Sequence, residues 1–225
     1  MAKAKRMTEA DWVASGDLYQ MLRSCRKIIR YNPRKGRLFA VACCYRIWHL
    51  LADERSRAAV DLAAQYAEGL VSDEQLKAAS DAAQAAHRDA FRAKGKVGAS
   101  AEWAAEFAAS SDAWFAATRA SNFAYFAAGD PVEPGVEKKV QAHLARCIFG
   151  TLPFRPVTID PAWLTPTVTS LAQAIYDDRA FDRLPILADA LEDAGCTNQD
   201  ILGHCRSGGE HVRGCWVVDL LLGKE

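Results

Sequence analysis

The side chains best suited to chemistry crowd the C-terminal stretch from Phe181 to Leu222. Cys196, His204, Cys205, His211 and Cys215 follow one another there as Cys-x7-His-Cys-x5-His-x3-Cys. Zinc takes about four nitrogen or sulfur ligands in a tetrahedron, usually brought by short paired spacings. His211 and Cys215 stand four apart, so a helix over Val212–Leu222 with its start near His211 would project both from one face. Neighbours on a helix diverge by about 100°, so His204 and Cys205 do not ligate together. The candidate metal ligands are therefore Cys196, Cys205, His211 and Cys215, with His204 as the substitute for Cys205. Against this stands a structural reading, in which the cysteines are small buried hydrophobes and the histidines cap helices or face solvent. The spacing matches no zinc-finger pattern, so the sequence favours a protein without a cofactor and keeps zinc as the alternative.

Other reactive patterns are weaker. Phosphate-binding loops, the HExxH helix, nucleophile elbows and dinucleotide fingerprints are missing. Asp177, Asp178 and Asp182 resemble the aspartate-rich patch of helical isoprenoid synthases, but those enzymes need a second, facing patch that this chain lacks. Charge is zero overall and uneven: residues 1–37 hold ten Lys/Arg against three Asp/Glu, and residues 150–225 hold six against eleven. Arg23, Arg26, Lys27, Arg30, Arg34, Lys35 and Arg37 form a basic run that would grip phosphates, with Tyr31 available for stacking. No recognised nucleic-acid module surrounds them, and a solvated face explains the same residues.

These groups must be held by helices. Asp182 and Asn198 are placed to cap helices over about 183–194 and 198–206, with Gly195 as the left-handed terminator between them. Arg37–Ala52 is apolar nearly all round and reads as the central helix of a bundle. Residues 58–128 contain 26 alanines, the best helix former and small enough for close approach. Ser72 with Gln75 fits a capping box, Lys94–Gly98 reads as a loop, and a long helix from Ser100 carries Trp103, Phe107, Trp114 and Tyr125 as a core-facing stripe. Asp130, Pro131 and Pro134 end that helix, and another follows over 136–149. A connector with four prolines over 151–166 precedes the last helices. The fold class is all-α: a multi-helix bundle of about seven to nine helices, with residues 1–150 as an alanine-rich bundle and 151–225 as a Cys/His-containing subdomain packed on it.

Three phrases, RLFAVACCYRIWHLL (37–51), FRPVTIDPAWLTPTV (154–168) and DRLPILADALEDAGC…HCR…HVRGCWVVDLLLGK, resemble an uncharacterised bacterial protein family across the start and the last seventy residues, with a variable middle. That resemblance implies no activity, cofactor or site residue. Seven cysteines, two of them adjacent at Cys43 and Cys44, suit reduced thiols better than a disulfide framework. With no apolar leader and no run of membrane-spanning length, the chain reads as cytoplasmic. Folding accounts for nearly every pattern, so the function expected is a non-catalytic helical interaction or regulatory protein with a protein partner. A nucleic-acid-associated protein using the basic N-terminal region is the second reading, and a zinc protein the third.

Overall fold

The computed structural model describes residues 6–129 and 135–224. It is 74% helical, and eleven α-helices are seven residues or longer; among the described residues there is no strand. The all-α expectation holds. The helices outnumber the expected seven to nine, in part because the stretch from Ser100 is broken where Asp112 caps a new start. None of the described helices is long and apolar enough to cross a membrane.

The chain divides into two compact units, 1–142 and 143–225. The boundary therefore falls within a helix and not at the expected residue 150, because the second half of that helix turns Cys147 into the C-terminal unit's core.

The N-terminal unit is built on α3 (Pro33–Arg46). Its start is set by Asn32, whose Oδ1 accepts from the Lys35 amide at 3.4 Å, and by Pro33 in the first turn, where a missing N–H costs nothing. All ten residues from Lys35 to Cys44 are buried, so no face of this segment is left for water. The helix starts earlier than the expected Arg37 and ends at Arg46, followed by a 3-10 turn at Trp48–Leu50. Gly36 lies inside it because a Cβ there would stand 2.6 Å from Ile29 Cγ2 and 3.1 Å from the Ala113 carbonyl. Arg37 is also buried: its guanidinium donates to the carbonyls of Ala108 (3.0 Å) and Ser111 (3.2 Å) and lies over the Tyr66 ring. It thus satisfies carbonyls at a helix C-terminus that would otherwise be orphaned.

Against α3 pack α2 (Leu18–Tyr31), α4 (Glu54–Ala67) and α6 (Ser100–Ala108), while α5 (Asp73–Gly98) packs on α4 and α6, and α1 (Glu9–Ala14) precedes them. They are followed by α7 (Ala113–Phe115), a π-helical turn at Ala116–Ala120, and α8 (Ser121–Ala128). Thr8 opens α1 and Ser72 opens α5, each in a complete capping box. The loop expected at Lys94–Gly98 is a kink in α5, taken by Gly95 at φ 71°, a backbone state open to glycine without a Cβ penalty. The long helix expected from Ser100 is split where Asp112 caps a new start, accepting from the amides of Trp114 and Phe115. The aromatic stripe is not core. Trp103, Phe107, Phe123 and Trp114 are half-buried and Phe115 and Phe126 exposed, while the alanines of the same helices occupy the centre. Small residues let the backbones approach, and that closeness leaves no room inside for rings. The helix ends at Ala128; the breaks expected at Asp130, Pro131 and Pro134 lie outside the described residues.

α9 (Val136–Phe149) spans the boundary between the units. The C-terminal unit adds α10 (Pro166–Asp178), α11 (Leu184–Asp193), α12 (Gln199–Cys205) and α13 (Trp216–Leu222). Its core gathers Val168, Ile175, Leu184, Leu187, Leu191, Ile201, Val217 and Val218, and Val157, Ile159 and Trp163 of the proline-rich connector pack against it. Asn198 caps α12 as expected, and Gly195 takes φ 88°. Asp182 does not cap α11: it lies in a 3-10 turn, and Arg183 precedes the helix without a side-chain cap.

Candidate metal centre

Four segments of the C-terminal unit converge on one point. The last turn of α9 brings Cys147, the last turn of α12 brings His204, the connection after it brings His211, and Cys215 stands as the N-cap of α13. One ligand-type atom of each lies within 4.8 Å of those of the other three. Cys147 Sγ is 3.5 Å from His211 Nδ1, and His204 Nε2 is 3.3 Å from Cys215 Sγ. Zinc–sulfur and zinc–nitrogen bonds of about 2.3 and 2.0–2.1 Å place mixed tetrahedral edges at about 3.5 Å. Both measured edges fall near that length.

The loop geometry is specific to this convergence. Gly209 passes against the His143 imidazole, where a Cβ would stand 1.9 Å from the ring. Gly150, at φ 52°, turns the chain out of α9 beneath Trp216, where a Cβ would meet Cγ at 2.6 Å. Ser207 Oγ donates to the His204 carbonyl at 2.7 Å. The Ser207 carbonyl and hydroxyl oxygens both face His211 Nε2, at 3.3 and 3.2 Å. A carbonyl only accepts, so Nε2 carries a proton, and Nδ1 is the nitrogen that faces Cys147. This is how metal-ligating histidines are ordinarily oriented: the nitrogen away from the ion donates to a neighbouring oxygen.

Electrostatics favour one thiolate here. Burial pushes the Cys215 thiol up, but the hydrogen bond with Cys147, the charge of His204 and hydrogen bonds from His204 and His211 outweigh it and hold Cys215 well below the usual thiol range. Burial and the neighbouring Cys215 push Cys147 well up. Both thiols are fully buried, and His204 and His211 are half-buried. His143 stands beside the group, its ring 5.9 Å from that of His211, and its buried Nε2 has no hydrogen-bond partner. Burial, then the two other histidines, lowers its pKa.

Of the ligands expected from the sequence, the structure brings His211 and Cys215 together and leaves Cys196 and Cys205 out of the group. Cys196 and Cys205 are buried with the apolar core of this unit. The divergence of adjacent helical side chains decides between His204 and Cys205: it is His204 that faces the centre. His211 and Cys215 meet through a turn and not along a helix, since α13 begins only at Trp216. Cys147 was missed, although His143-x3-Cys147 repeats the spacing of His211-x3-Cys215; that repeat is the signal that would have found it.

The basic run divides by burial. Arg23, Arg26, Lys27 and Arg30 are exposed on α2. Arg34 pairs with Glu68 at 3.2 Å, and Lys35 and Arg37 are only 1% and 2% exposed. Those last two support the inside of the bundle and offer no charge to a polyanion. Asp177 is engaged by Gln173, and nothing in the structure supplies a second aspartate patch facing it among the described residues.

Compared with protein-family models, curated proteins and solved structures, the chain finds no match, and the functional reading rests on the centre's own geometry.

Proposed function

We propose that the protein binds zinc, with Cys147, His204, His211 and Cys215 holding one structural ion that fastens α9, α12 and α13 of the C-terminal unit together. One observation carries this reading: four ligand atoms from four separate segments lie within 4.8 Å of one another. A set of two cysteines and two histidines is a usual zinc complement, and four protein ligands close the coordination sphere, as in structural sites. No position is left for a substrate or a reactive water, so the ion's part is to hold the unit and the protein is a non-catalytic module. Buried thiol–imidazole hydrogen bonding is the competing account, but it does not require four side chains to converge on a single point. The donation of His211 Nε2–H to Ser207 also suits a ligand held in one tautomer.

Metal analysis of the purified full-length chain tests the proposal. The expected result is one zinc per chain, with tetrahedral thiolate–cobalt absorption after exchange into cobalt. Cys147→Ala and His211→Ala should each lower zinc content severalfold, and Cys196→Ala should leave it unchanged. Substoichiometric metal after growth in zinc-supplemented medium, together with no cobalt spectrum, would overturn it.

A further inference from the structure

The N-terminal unit contains a groove of about 1140 Å³ between α2, the α7–π-turn–α8 segment and the start of α9. Its cations come from different elements: Arg23 and Arg26 from α2, Arg119 from the π-helical turn and Lys138 from α9. Among the described residues none of these four has an ion-pair partner, and Asp17, the one carboxylate in the lining, is already accepting from the Gln20 amide at the start of α2. Like charges gathered in a concave site repel one another and focus a positive potential outward. Rings back the cations. Arg26 lies 5.4 Å over Trp114 and Lys138 lies 4.8 Å over Tyr125. Tyr19 and Phe115 also line the groove, with 62% and 47% of their surface in water. The π-helical turn, a form that recurs at functional sites, puts Arg119 at the wall.

We infer that this groove binds single-stranded nucleic acid, the phosphates held by Arg23, Arg26, Arg119 and Lys138 and the bases stacked on Tyr19 and Phe115. A single small anion would leave the rings unused, and the volume exceeds the roughly 300–1,000 Å³ of sites for one small molecule. The charged track also continues beyond the groove. Tyr19, Arg23, Arg26 and Arg30 recur at helical spacing along α2, Lys27 lies alongside, and the helix ends at Tyr31, which is 84% exposed. A cationic path lined with exposed rings is the arrangement that binds strands without reading their sequence. A duplex keeps its bases stacked inside and cannot use the rings.

Fluorescence anisotropy of the full chain with labelled twelve-nucleotide oligo-dT and oligo-U tests this. Both should bind, and duplex DNA of equal length should bind at least tenfold more weakly. Four phosphate contacts on a single strand give a salt slope of about −2.8, or roughly a 50-fold loss of affinity between 50 and 200 mM salt. Arg23→Glu/Arg119→Glu should abolish binding, while Lys94→Glu, on the exposed end of α5, should not change it. Tyr19→Ala and Phe115→Ala should each weaken binding by about 5- to 150-fold at an unchanged salt slope. Helical circular dichroism of every variant separates lost binding from lost folding. Absence of binding at low salt would overturn the inference. So would equal competition by heparin and oligo-dT, or affinity indifferent to the Arg23/Arg119 reversal in a folded variant.

Discussion

Withdrawal of metal should loosen the C-terminal unit by an amount that can be worked out beforehand. Its core contains no disulfide: every cysteine in the described residues is a free thiol. The four proposed ligands join α9 to α12 and α13 across more than fifty residues of chain, so an ion there would bind the folded unit and have no preformed site in the unfolded one. A ligand present at a hundred times its dissociation constant stabilises by about 2.7 kcal/mol, and at a thousand times by about 4.1. For a unit of this size, each kcal/mol shifts the melting temperature by about 4–8 °C. Chelation from a hundredfold excess should therefore lower the unit's transition by roughly 11–22 °C. Differential scanning calorimetry with and without a strong chelator, followed by zinc re-addition, measures it. Cys147→Ala should melt near the chelated wild type and no longer respond to chelator. A wild-type transition that stays within 2 °C (about half a kcal/mol) under chelation would refute the reasoning, because the four side chains would then be held by packing alone.

Phe39→Ala, at a site with no exposed surface, should cost about 3–5 kcal/mol in denaturant unfolding; Trp48→Ala and Trp114→Ala, whose rings are half-buried, should cost measurably less. Gly36→Ala should destabilise by about 1–3 kcal/mol, because its Cβ would meet Ile29 and the Ala113 carbonyl; a neutral result would mean that α2 and α3 can separate freely. Cys43 and Cys44 are fully buried, and burial pushes the Cys44 thiol up to about 12, so a thiol reagent should label neither until the protein unfolds. Arg155 makes two hydrogen bonds to Asp200, at 2.7 and 2.8 Å, and holds its carboxyl below the usual range. The stability this pair adds is present above the unfolded aspartate value of about 3.9 and is lost as pH falls through the lower folded value. Both side chains are more than a third exposed, so Asp200→Asn should cost no more than about 1 kcal/mol at pH 7 and nothing in strong acid.

Much of the local structure was legible in the residues themselves, because its causes are local. The capping box at Ser72, the Asn198 cap, the left-handed Gly195 and the wholly apolar run centred on Val41 each depend on neighbours within a few positions. The alanine content announced close helix packing, but not what it would do to the rings. Alanine contacts filled the centre and pushed Trp103 and Phe107 to half-buried positions, an outcome set by how near the backbones come. The same divide separates the candidate ligands. His211 and Cys215 could be named from their spacing, whereas choosing His204 over Cys205 needed the direction in which α12 presents its last turn. Cys147 lies far away in sequence, on the apolar face of an amphipathic helix where it reads as ordinary core, and only the fold of the C-terminal unit sets it against the others. The fate of the basic run was equally tertiary. Arg23 and Arg37 are alike in sequence, but one faces a groove and the other closes a helix end, since burial is decided by which elements pack on each side of a residue. Composition and local periodicity therefore determined an all-helical chain rich in buried thiols, and long-range packing decided which of those thiols meet histidines.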